Sequence, residues 1–416
     1  MRKIRFLLFA LLALLYVTNV NAITVGNQFT RNGITYEVTL MRPAGNGLPE
    51  LNEVKVVSST VSGTLTIPTS VLDLNNQYTF QVTAIASAGT YTNVTAVNLP
   101  STLKTINTNA FSNSKITTIN IPAGTDNILD GAFAQIENLT AITVDAGNPK
   151  YTAADGVLYE TNSSGNKYLK AYPVAKAGTT FTVPNGVYGV STNGFQLAKN
   201  LTTINLPASI QDLPTTKEAN GFTSAKNLTA IKVDAGNTKF KDEDGVVLTK
   251  DGKTLVAYPF ARHGVTDHNY DGPLTTMHAG EVYTIPASVE TIAKGAFAQV
   301  SEITAVKLNN VKKISAGAFY SVRNLRNVEL GASVETIEDG AITGSPDFTR
   351  FAVDSNNPNY MADAEGIIYT KNQEELVLYP SGRAGEYSTL PTTKKIRKRA
   401  FYYAQKVEKV NFNSAL

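Results

Sequence analysis

One spacing recurs eight times along this chain and constrains its architecture more than any other feature. A small residue precedes a bulky apolar anchor, and apolar residues return six and nine positions after it. The anchors are Phe111, Phe133, Phe195, Phe222, Phe297, Phe319, Ile342 and Phe401. Their followers are Leu139/Ile142, Leu201/Ile204, Leu228/Ile231, Ile303/Val306, Leu325/Val328, Phe348/Phe351 and Val407/Val410, while Phe111 is one residue short at Ile116/Ile119. A unit this small cannot bury its own apolar face, so neighbours must stack to share one continuous core. The chain is therefore expected to be a solenoid.

Within a unit, Ile204 and Leu206 alternate with polar residues at period two, which marks a half-buried strand. The same alternation recurs at Ile119/Ile121, Ile142/Val144, Ile231/Val233, Val306/Leu308, Val328/Leu330, Phe351/Val353 and Val410/Phe412. Thr, Val, Ile and Asn dominate where a long helix would need Ala, Glu and Lys, so little helix is expected. A second motif fills the wide gaps between anchors. Asp145/Asn148/Tyr151, Asp234/Asn237/Phe240 and Asp354/Asn357/Tyr360 share one spacing. An acidic-glycine pair follows each (Asp155-Gly156, Asp244-Gly245, Glu365-Gly366), and each block closes on a Leu-x-x-Tyr-Pro stretch ending at Pro173, Pro259 or Pro380. Each block reads as an inserted β-hairpin, with Asp251-Gly252 as the two-residue turn of the middle one.

These two interlocking patterns resemble the BspA-like leucine-rich repeat family of secreted bacterial proteins. The resemblance implies a curved, right-handed, β-rich leucine-rich repeat solenoid with short irregular or 3-10 convex segments. It also implies display at the cell surface and, as for some members, adhesion to host extracellular-matrix proteins such as fibronectin and fibrinogen. It brings no catalytic residues with it. Two departures stand out: Gly89-Thr90 occupies the first expected anchor position, and Pro214 to Asn220 lengthen the unit before Phe222. The expected organisation is a signal peptide over 1–22, an N-terminal β cap with a degenerate first repeat over 23–93, and the solenoid over 94–416. Hairpin insertions fall near 145–180, 234–283 and 354–390. The chain stops at Leu416, four residues after Phe412, with no cap in view, which reads as a truncated solenoid.

Arg2, Lys3 and Arg5 precede the apolar run from Phe6 to Val17, and Val20-Asn21-Ala22 offers small residues for cleavage, so export by a signal peptide is expected. The run is too short to span a membrane. Residues 1–22 carry no acid, so beyond them the formal charge of +3 falls to zero, with equal numbers of basic and acidic side chains. A neutral balance argues against electrostatic binding of nucleic acid. No cysteine is present, so the fold relies on its core alone. Charged residues make up 17% of the chain, against about 25% in typical domains, so Thr, Asn, Ser and Gly must build much of the surface.

No nucleophile elbow, P-loop or dinucleotide fingerprint appears, and a non-enzymatic protein is expected with no cofactor. The three histidines (His263, His268 and His278) share one Gly- and Pro-rich insertion with Asp267 and Asp271; their spacing matches no metal motif, so a solvated loop is the reading. Asp242-Glu243-Asp244-Gly245 lacks the spacing of a calcium loop and reads as a turn. Three of the five Asn-x-Ser/Thr triplets (Asn138, Asn200 and Asn227) belong to the repeat itself.

Two surfaces are candidates for partner binding. The first is the polar row between paired strand apolars: Asn98, Asn120, Thr143, Asn205, Lys232, Lys307, Glu329, Ala352 and Asn411. Strand alternation turns these residues away from the core, and stacking should align them on one sheet face. The second is the basic cluster of Lys394, Lys395, Arg397, Lys398, Arg399, Lys406 and Lys409, with only Glu408 opposing it locally. The block aromatics repeat at fixed spacing and are read as core. A host or matrix protein is the expected partner; a glycan ligand and a passive spacer role stay open.

Overall fold

The computed structural model describes residues 23–45, 49–262, 282–301 and 303–416. The leader segment, the three histidines, Asp267 and Asp271 lie outside the described residues. The described chain is all-β, with neither α-helix nor 3-10 helix among the described residues. It is a solenoid, and most coils contribute one longer strand to one parallel stack and a shorter strand, often of two residues, to another.

The period-two segments form the longer strands. Ala141–Val144 pairs in parallel with Thr118–Ile121, placing Ile142 beside Ile119 and Val144 beside Ile121. Thr180–Thr182, Thr203–Leu206 and Ala230–Val233 form a second run, and Val282–Thr284, Ala305–Lys307, Asn327–Leu330 and Arg350–Val353 a third. The aliphatic five residues before most anchors sits in a two-residue strand. Thr291–Ile292, Lys313–Ile314 and Thr336–Ile337 stack this way, each isoleucine over the last. Turns connect the strands, so the expected convex segments are irregular and contain no 3-10 helix among the described residues.

Inside, the anchors form a spine of rings. Phe297 and Phe319 stack at 4.7 Å, and Phe195 and Phe222 at 5.7 Å, in nearly parallel planes. The tyrosine of each Leu-x-x-Tyr-Pro stretch joins this spine: Tyr172 lies 5.4 Å from Phe195, Tyr258 4.9 Å from Phe297 and Tyr379 4.7 Å from Phe401. The first anchor position is filled after all, because buried Tyr91 packs its ring 5.1 Å from Phe111. Each fully buried ring contributes roughly 1.5–3 kcal/mol. At the other end the expected pair Val410/Phe412 breaks down: the strand is Val407–Asn411, and Phe412 is 59% exposed beyond it.

The inserted blocks differ from simple hairpins. Tyr151–Ala154, Val157–Thr161 and Lys167–Ala171 form a three-stranded antiparallel meander, and its last strand joins Gly189–Val190 in parallel. The other two blocks repeat this plan. Each block is thus a coil of the solenoid with a hairpin grown from it. The two-residue turns are Asp155-Gly156 and Asp244-Gly245, where both residues have positive φ. Asp251-Gly252 lies instead in a four-residue connection where only Gly252 is left-handed.

At the N-terminal end, Gln28–Arg31, Ile34–Arg42 and Leu51–Ser59 form an antiparallel meander. Leu51–Ser59 then pairs in parallel with Thr79–Ile85, which continues into the stack of two-residue strands at Thr105–Ile106.

Candidate functional site: the polar strand face and the basic end

The polar row exists, in separate runs. Asn120 lies opposite Thr143, Asn205 opposite Lys232, and Lys307, Glu329 and Ala352 stand in one line. Hydrogen bonds link the side chains along the stack. Asn98 donates to Thr66 Oγ1 at 3.0 Å, Asn205 to Thr182 Oγ1 at 3.1 Å, and Thr143 to Asn120 Oδ1 at 2.8 Å. Asn411 donates to Ser388 Oγ at 3.4 Å. Lys307 and Glu329 form an ion pair at 3.5 Å. Both side chains of that pair are about half exposed, so it adds at most about 1 kcal/mol. The result is a pre-ordered surface of amides and hydroxyls whose remaining donors and acceptors face solvent.

Thr66, Thr182, Thr284 and Ser388 belong to this face as well, and reading from anchors missed them. The signal was present in Leu65-Thr66-Ile67, Phe181-Thr182-Val183 and Tyr283-Thr284-Ile285, which alternate without an anchor upstream.

The blocks interrupt the face. Ile142 N–H, whose next neighbour would be another strand, instead donates to Gly156 O at 2.8 Å. Ile231 does the same to Gly245, and Phe351 to Gly366, both at 2.9 Å. Each acidic-glycine turn therefore seals one edge of a longer-strand run. A basic residue three positions after the block's proline clamps the turn: Lys176 pairs with Asp155 at 3.1 Å, Arg262 with Asp244, and Arg383 with Glu365. This Pro-x-x-Lys/Arg signal is visible in the sequence, but its meaning depends on the meander bringing the two ends together.

The basic cluster is mostly neutralised by the coils stacked beneath it. Lys394 pairs with Glu374, Lys395 with Glu375 at 3.0 Å, Lys406 with Asp347 at 4.0 Å and Lys409 with Glu386 at 3.7 Å. Arg397 clasps Glu375 through Nη2 at 2.8 Å and Nε at 3.2 Å, and donates Nη1 to Ile337 O at 3.1 Å. The Arg397 hydrogen bonds hold the Glu375 carboxyl below its ordinary value of 4.5. Lys398 and Arg399 form no ion pair among the described residues. The cations of the expected cluster that stay without an ion pair among the described residues are therefore these two.

Among the described residues, no group of His, Asp or Glu is arranged to hold a metal ion. The tripeptides at Asn200 and Asn227 serve the stack, as expected: Thr202 and Thr229 donate to Thr179 O and Thr202 O, and Asn227 to Lys199 O.

The model of the BspA type leucine-rich repeat region matches in six copies over residues 65–162, 173–243 and 280–363, well over half of the chain. This chain belongs to that family. Proteins of the BspA-like family are typically bacterial cell-surface proteins, and leucine-rich repeat domains generally bind proteins. Among solved structures, the chain is similar to a leucine-rich repeat protein from Eubacterium ventriosum, with 14% identity over 93% of this chain and 85% of that one and a TM-score of 0.44. It is also similar to the pneumococcal vaccine antigen PcpA, with 16% identity over 94% of this chain and 99% of that one and a TM-score of 0.39. A leucine-rich cell surface protein from Faecalibacterium prausnitzii is 14% identical over 80% of this chain and 96% of its own, with a TM-score of 0.33. A search of curated proteins returns no match. Along this chain, the polar row changes from Asn and Thr to Lys, Glu and Ala from coil to coil while the core positions stay apolar. Among the described residues, no helix is long and apolar enough to cross a membrane.

Proposed function

We propose that this protein is exported, displayed at the bacterial surface, and binds a host or extracellular-matrix protein without catalysing a reaction. The observation that carries this reading is the in-register, hydrogen-bonded polar row. Its third run, with Thr284, Lys307, Glu329 and Ala352 in line, is the longest and the most charged. Pre-ordering limits the entropy lost when a partner docks, and a wet, mixed-polarity surface suits protein recognition. The family supports the surface setting, and Arg2, Lys3 and Arg5 ahead of the apolar run support export.

The test is binding of the purified protein to immobilised fibronectin, fibrinogen, laminin and collagen by biolayer interferometry. Saturable binding that survives physiological salt and falls roughly tenfold in a Lys307→Glu, Glu329→Ala double variant supports the reading; such a loss is the size of one well-placed interfacial group. Binding to these proteins that is unchanged by substitutions at Lys232, Lys307 and Glu329 would remove the sheet face from consideration. No binding to any matrix protein would remove the adhesin reading itself.

A further inference from the structure

The Phe401 coil breaks the repeat's own backbone rule. The residue two before the anchor is held in the left-handed region in six of the eight anchored turns, all but those of Phe195 and Phe222, and the residue two after it in seven, all but that of Phe133. Before the anchor these are Asn109, Gly131, Gly295, Gly317 and Gly340, types that accept positive φ readily. At Phe401 the position is Arg399, with φ 64°, and two residues after the anchor stands Tyr403, with φ 61°. Leu197 and Gln299 hold the position after the anchor in other coils, so the departure is Arg399, and strain retained there against the local pattern points to a site.

The side chains placed there are unusual for this molecule. Three aromatic side chains are exposed among the described residues, and two of them are Tyr402, at 39%, and Tyr403, at 41%. Their rings meet edge to face at 4.6 Å, and the Tyr403 hydroxyl lies 3.3 Å from that of Tyr320. Arg399 places its guanidinium 5.5 Å from the Tyr402 ring centroid. It passes over Gly340, where a Cβ would lie 3.4 Å from Arg399 Cδ. Arg399 and Lys398 are also the two cations of the basic cluster without an ion pair among the described residues. Beside them opens a cleft of roughly 450 Å³ lined by Lys217, Ala316, Glu338, Asp339, Lys398 and Arg399. Glu338 is occupied by Lys313 at 2.6 Å and the Ala316 N–H at 2.9 Å, whereas Asp339 forms no ion pair among the described residues.

We propose that this cleft, together with the tyrosine pair that Arg399 joins to it, binds an acidic saccharide. Exposed tyrosine faces suit the apolar face of a pyranose ring, and their hydroxyls hydrogen-bond the ring's substituents. A guanidinium offers a paired-donor fork to a carboxylate or sulfate, and Lys398 adds a second positive charge. Asp339 accepts hydrogen bonds from sugar hydroxyls. Three cations interspersed with Glu338 and Asp339 are too few and too mixed for a nucleic-acid backbone. The site is separate from the sheet face, so its fate is independent of protein binding there.

The experiment is titration calorimetry of the purified protein with a hyaluronan hexasaccharide, a sulfated dextran oligosaccharide and neutral maltohexaose. Arg399→Gly and Tyr403→Gly are the variants, because glycine accepts the left-handed backbone at both positions and thermal melts should be preserved or raised. Binding of either acidic sugar, weakened roughly tenfold or more by each variant, supports the proposal, that being the size of a lost charge-assisted fork or stacking surface. Preference for hyaluronan assigns the acid group as carboxylate, and preference for sulfated dextran as sulfate. The proposal is overturned by failure to bind either acidic sugar, by equal affinity for maltohexaose, or by variants that bind as the parent does.

Discussion

Single asparagines carry much of the cohesion between coils. Asn357 is fully buried; its amide donates to Gly331 O at 2.9 Å and Val334 O at 3.1 Å, and its oxygen accepts from the N–H groups of Asn359 and Tyr360 at 2.8 Å. Asn148 and Asn237 repeat the arrangement, each donating to two carbonyls of the preceding coil. No other side chain offers two donors and an acceptor with this reach. Asn357→Ala would leave four backbone groups without partners, and a loss of about 3 kcal/mol is expected, read as a lower urea midpoint at unchanged slope. Asn357→Asp should be at least as damaging, because a carboxylate oxygen would face two carbonyls. The spacing Asp-x-x-Asn-x-x-aromatic was plain in the sequence. Its role was not, because both acceptors lie more than twenty residues upstream and no local rule connects them.

At the level of elements, the blocks decide where a sheet ends. Gly366 has φ +80°, and a Cβ there would come within 2.6 Å of the Arg350 Cβ, so conformation and close approach both require glycine. Gly385 has a similar φ of +86° with nothing within 4 Å, which separates the two effects. Gly385→Ala should cost about 1 kcal/mol from backbone strain alone, and Gly366→Ala roughly 1–3 kcal/mol beyond that as the turn lifts from its strand. Paired thermal melts of the two variants check this, and equal losses would contradict the sealing role. The strands themselves were legible, since Ile204/Leu206 and its equivalents alternate as a half-buried strand must. Placing the tight turn at Asp251-Gly252 failed for a physical reason. An Asp-Gly pair signals a turn wherever it occurs, and only the Ile231 N–H bond to Gly245 O identifies which pair closes the hairpin.

Across the whole molecule, charge is balanced between coils, not along the chain. Glu290 sits between Lys253 and Lys312, and Glu375 is met by Lys395 and Arg397, all partners at least twenty residues away in sequence. Glu375 is held below its unfolded value by Arg397, so its contribution is present above the unfolded pKa and is lost as pH falls through the lower folded one. The melting temperature should therefore drop as pH falls below about 4.5, and less steeply in Glu375→Gln than in the parent. An equal slope in both would show that Arg397 contributes nothing through this carboxylate. A sequence window sees seven cations and one acid near residue 400; the opposing acids enter only when coils stack, which is why the cluster looked more basic than it is. The ring spine has a different consequence, for how such a gene can change. Phe297 presents to Phe319 the same flat face that Tyr258 presents to Phe297, so a coil of this kind meets equivalent neighbours above and below. Duplication or deletion of one 22-residue unit between blocks would leave both flanking interfaces chemically unchanged, so the protein's length can drift in whole coils while its stability per coil stays nearly constant.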